Sequence, residues 1–119
     1  MRARFVILAV AAGCLAGSLR AEPAASYVPG TEDVPLMPGL SAVVDTALVF
    51  DKPEGRIVQA AAKGALKQAD VIGFYATSLP ALGWHPAGDR RFERDGERLS
   101  LDFSGTDGRL VVRFLLVPH

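Results

Sequence analysis

The chain is poor in the residues from which most catalytic sites are made. Its 119 residues include one cysteine, Cys14, and two histidines, His85 and His119. One cysteine excludes an intrachain disulfide and any Cys-rich zinc site. Two histidines, one of them at the end of the chain, do not supply a three-imidazole metal centre. No Gly-x-Ser-x-Gly elbow, Walker sequence or Gly-rich dinucleotide turn occurs. Net charge is also lacking: 13 basic and 13 acidic side chains cancel. That balance argues against a general field for nucleic acid. Half of the residues are hydrophobic, enough to build one globular domain.

The first 21 residues read as a signal peptide. Arg2 and Arg4 form a positive start, and Phe5 to Gly17 is uncharged and rich in apolar and small residues. Such a run suits an export signal and is short for a membrane span. Leu19-Arg20-Ala21 offers a cleavage site before Glu22. Arg2, Arg4 and Arg20 would leave with the segment and no acid would, so ten basic and 13 acidic residues remain, a net charge of −3. Ala11-Ala12-Gly13-Cys14 is similar to a bacterial lipobox, which keeps a second reading open: lipidation at Cys14 and a membrane anchor. Membrane attachment is expected only in that case or if the signal stays uncleaved. The expected location is therefore the periplasm or the exterior.

Residues 22–40 contain Pro23, Pro29, Pro35 and Pro38. Proline disfavours helix at its own position and at the one before it, so a linker or packed arm is expected. Residues 41–119 read as one α+β domain. Strand-forming residues run from Ser41 to Phe50; Pro53 and Gly55 mark a turn; Arg56 to Lys63 reads as the return strand, with a helix from about Ile57 through the alanines as the alternative that Gly64 argues against. Lys67 to Leu79 has helical spacing, with Val71, Phe74, Tyr75, Ser78, Leu79 and Leu82 on one face. Pro80 and Gly83 should end it. Arg91–Arg94, Glu97–Phe103 and Arg109–Val117 then read as a meander, with a hairpin turn at Asp95-Gly96. Leu99, Leu101 and Phe103 alternate with Arg98, Ser100 and Asp102, which predicts one dry and one wet face. The expected architecture is an antiparallel sheet of about five strands, ββαβββ, with one helix packed on its apolar face.

Few residues invite a functional reading. Phe74, Tyr75 and Trp84 cluster at the helix and its exit, either as a corner of the core or as a groove for an apolar ligand. His85 is the one histidine placed to act as a general base, with no partner named by spacing. Asp89 to Arg98 mixes four arginines with four acids, the pattern of cross-strand ion pairs. Neither a metal nor a cofactor is implied.

Asp33-Val-Pro-Leu-Met-Pro-Gly-Leu40, Val49-Phe-Asp-Lys-Pro-Glu-Gly-Arg-Ile57 and Phe74-Tyr75 with Leu79-Pro80 and Leu82-Gly83-Trp84 together resemble a set of small exported proteins of proteobacteria. The resemblance implies compartment and architecture and carries no catalytic residue. The expected function is a non-catalytic binding or accessory protein of the cell envelope with an envelope protein as partner. The alternatives are a small-molecule or lipid carrier binding between helix and sheet, or a lipid-anchored adaptor.

Overall fold

The computed structural model describes residues 26–43 and 47–119. The signal peptide, Cys14 and residues 22–25 of the Pro-rich stretch lie outside the described residues. One helix and an antiparallel sheet make an α+β fold. The strands are β1 (Ser41–Ala42), β2 (Leu48–Lys52), β3 (Gly55–Gly64), β4 (His85–Pro86), β5 (Arg91–Arg94), β6 (Glu97–Thr106) and β7 (Arg109–Pro118), with helix α1 (Gln68–Ala81) between β3 and β4. Their order is β1-β3-β7-β6-β5-β4, and β2 also pairs with β3.

The sheet thus has seven strands, not about five. Two local effects account for the difference. Ala42 pairs with Ala62 and Leu48 with Gln59. Five positions, 43–47, therefore correspond to two on β3, 60 and 61, and no continuous ladder spans that offset. The single strand expected over 41–50 becomes two; residues 44–46 lie outside the description. The other addition, β4, is two residues long, too short to leave a periodic signal.

Alternation decides the faces. Val58, Ala60 and Ala62 of β3, Phe92 of β5, Leu99 and Leu101 of β6, and Leu110, Val112, Phe114 and Leu116 of β7 are buried. Val71, Tyr75 and Leu79 of α1 pack on them. Leu82, expected on that helical face, is 45% exposed because it is the C-cap residue, where the helical path has ended. Pro80 lies in the last turn rather than beyond it. The stop itself is a Schellman arrangement: Gly83 has φ 95°, its N–H donates to Pro80 O, and the Trp84 N–H donates to Leu79 O. At the other end no side chain of the helix caps it. Asp107, in the β6–β7 turn, accepts from the Gln68 N–H at 2.9 Å.

The Pro-rich segment shares the dry face with the helix. Val28, Val34 and Leu40 are buried, and Leu36 and Met37 pack against the core. Val28 N–H donates to Val34 O and Leu36 N–H to Ser26 O, closing a small loop that replaces sheet pairing. The segment crosses β3 at Gly64, where a side-chain carbon would overlap the Gly39 carbonyl oxygen. Gly64→Ala is therefore expected to lower stability by about 1–3 kcal/mol, read as a reduced urea midpoint with unchanged slope.

Candidate functional site

The aromatic cluster is assembled as a corner of the core. Tyr75 is fully buried and Trp84 is 1% exposed, while Phe74 is partly buried. Phe74 meets Tyr75 edge-on at 4.9 Å, and Tyr75 meets Phe114 at 5.7 Å. The Tyr75 hydroxyl donates to Pro35 O at 2.7 Å and accepts from the Met37 N–H at 3.2 Å. Burial pushes its pKa well above the usual phenol range. The guanidinium of Arg94 lies over the Trp84 ring, 4.7 Å from its centroid. The space that opens between helix and sheet lies elsewhere. It is a cleft of about 400 Å³ lined by Ile72, Ala76, Pro86, Phe92 and Leu101, with Gly88, Asp89 and Arg90 at one side.

A second cluster fastens the arm. Asp33 Oδ2 accepts from Arg94 Nη2 and from Arg56 Nη2, the latter at 3.4 Å. Arg56 also grips Glu97 through Nε at 2.9 Å and Nη2 at 3.2 Å, a two-pronged bond that raises the Arg56 pKa. Arg94 Nη1 donates to Leu82 O at 3.0 Å. These side chains are 20–30% exposed, so water only partly screens them. Nothing in the spacing of positions 33, 56, 94 and 97 announces this meeting. The Arg-acid mixture of the hairpin was legible, and Arg98 does bond Glu93 across the β5–β6 ladder at 3.0 Å.

His85 stands exposed on β4, opposite Glu93 in the ladder. Its ring makes no hydrogen bond to any described residue, so nothing orients it as a base. His119 is held by its N–H to Gly96 O at 2.7 Å, and Arg98 donates to its Nδ1 at 2.9 Å. His119 is thereby tied to the β5–β6 turn. Among the described residues no three His, Cys, Asp or Glu side chains stand close enough to hold a metal.

Among the described residues nothing covers the sheet face turned away from the helix. Gln59, Lys63, Asp102 and Arg113 are exposed on it, with Ile57, Leu115 and Val117 half-buried among them. At its border, β2 pairs with β3 and with no other described strand. Leu48, Val49 and Phe50 are 48–49% exposed there. Register places Leu48 and Phe50 on the uncovered face, beside Gln59 and Ile57, and Val49 on the core face, beside Val58. Comparison with protein-family models, curated proteins and solved structures returns no match. No helix among the described residues is long and apolar enough to cross a membrane.

Two outcomes test this geometry. Asp33→Ala should lower stability by about 1–2 kcal/mol at low salt, and less in 0.5 M NaCl, measured by urea unfolding. For Tyr75 the sign follows from its raised pKa. The folded state holds the phenol proton more tightly, so that stability is complete below pH 10 and falls as pH rises beyond it. Tyr75→Phe should lose about 1 kcal/mol at pH 7, yet decline less steeply than the wild type between pH 10 and 12.

Proposed function

We propose that this chain is an exported, non-catalytic accessory module of the bacterial cell envelope that binds an extended segment of another envelope protein along β2. The observation that carries this reading is the one-sided pairing of β2 with three adjacent half-exposed apolar residues, Leu48, Val49 and Phe50. An unpaired edge offers backbone donors and acceptors to an incoming strand, and alternate side chains select it. The positive start and uncharged run of residues 1–21 support export, as does the resemblance to small exported proteobacterial proteins. Release from the membrane after cleavage before Glu22 is the form proposed. A chain retained by lipid at Cys14 would be the same adaptor held at the bilayer.

Site-specific photo-cross-linking in the native host tests the reading, with the probe at Phe50 and a control at Thr77 on the exposed side of α1. The expected result is a discrete adduct from position 50 only, heavier than two copies of this chain, on a protein whose intact mass starts at Glu22. A self-adduct alone, equal labelling from Thr77, or an unprocessed cytosolic chain contradicts it.

A further inference from the structure

Arg90 is the least expected residue in the backbone. It has φ 62°, a left-handed conformation that glycine, asparagine and aspartate enter at low cost and arginine does not. The other non-glycine residue with positive φ, Asp95 at 50°, is explained by its hairpin turn with Gly96. Arg90 sits in the β4–β5 loop, where Ala87 N–H donates to Arg91 O and Leu101 N–H donates to Arg90 O at 3.0 Å. These bonds fix the backbone, and the exposed guanidinium rests against a ring, 5.4 Å from the centroid of Phe103. It makes no ion pair with any described residue. A positioned cation on strained backbone, without an acid partner, is a reason to look for a ligand.

The cleft beside it supplies the rest. Phe92 and Leu101 form a buried floor, and Ile72 and Ala76 of α1 form the opposite wall. Apart from the Asp89–Arg90 rim, its lining side chains are apolar, so hydrocarbon suits its interior and a charged group suits only its mouth. Its volume, about 400 Å³, is that of a small-ligand pocket. Asp89 is on the same rim, exposed and without a hydrogen bond or ion pair to the described residues. Of the two rim charges, the positive one is the one that rests against a ring.

We propose that this cleft binds a single-chain anionic amphiphile, a medium-chain fatty carboxylate, with its chain between Ile72, Ala76, Phe92 and Leu101 and its head group on Arg90. The site is separate from the β2 edge and stands or falls without it.

The probes are decanoate, decanol and decyltrimethylammonium, titrated calorimetrically into the full processed chain below their micellar concentrations. Decanoate should bind saturably, one per chain, and about fivefold or more tighter than decanol. Decyltrimethylammonium should bind more weakly than either. Arg90→Asn keeps a residue that tolerates the left-handed backbone; its unfolding midpoint should match the wild type while decanoate loses its advantage over decanol. Ala76→Trp, on an exposed wall position, should block both ligands with the circular dichroism spectrum unchanged. Ile72→Glu gives the same block by charge if the tryptophan perturbs the helix. Absence of saturable decanoate binding overturns the proposal. So does equal affinity for the cationic probe, or a preference for decanoate that survives Arg90→Asn.

Discussion

A sheet with one dry face needs a cover of matching area, and the helix is too small to provide it. Fourteen residues of α1 span only about 21 Å, against a sheet whose core face runs from β2 to β5. The uncovered remainder, above β2 and β3, is sealed by the Pro-rich arm. Burial of Val28 and Val34 to zero exposure makes this arm a structural layer. Proline suits the task because the arm doubles back on itself through one bridge, Tyr27 to Pro35, and needs few backbone donors. Backbone groups at Ser26, Val28, Val34 and Leu36 are satisfied by a short internal loop, and those of Pro35 and Met37 by the Tyr75 hydroxyl.

The same constraint places the charges. Arg56, Glu97 and Arg94 stand at the end of the core face where the apolar rows run out, and Asp33 arrives on the arm to meet them. The arm is thus held by apolar contact along its length and by paired charge at one point. Solvent reaches all four side chains in part, so the network directs the arm more than it stabilises the fold. On the opposite face a smaller charged group, Arg98 with Glu93 and His119, ties the end of β7 to the β5–β6 hairpin, and no described segment lies over the sheet. The outer surface and the free side of β2 have no described cover, and on the covered face a cleft remains between α1 and strands β5 and β6.

The alternating rows of β6 and β7, the Asp95-Gly96 turn and the glycine stop at Gly83 were all legible in the sequence, because each depends on residues a few positions apart. The long β3 was readable despite its alanines, since Gly64 interrupts the helical alternative. What depends on distant partners was not. No local pattern tells that Asp33 will sit on Arg94, 61 positions away, or that Tyr75 will bond the backbone at Pro35 and Met37. The register offset that splits the first expected strand arises from pairing with β3 and not from the composition of 41–50. At the candidate sites, Phe74, Tyr75 and Trp84 drew notice as aromatics, whereas Arg90 carried no signal because its left-handed backbone exists only in the folded chain.

Residues 26–40 are part of the core, with Val28, Val34 and Leu40 buried in it. Native-state hydrogen exchange measures this directly, by comparing the amides of Val28, Leu36 and Leu40, bonded to Val34, Ser26 and Met37, with that of Val112 in the middle of β7. If the arm is an integral layer, all four exchange only through global unfolding and share one free energy of opening. Exchange of the arm amides orders of magnitude faster than Val112, with β7 still protected, would instead show a strap that lifts off a self-sufficient domain.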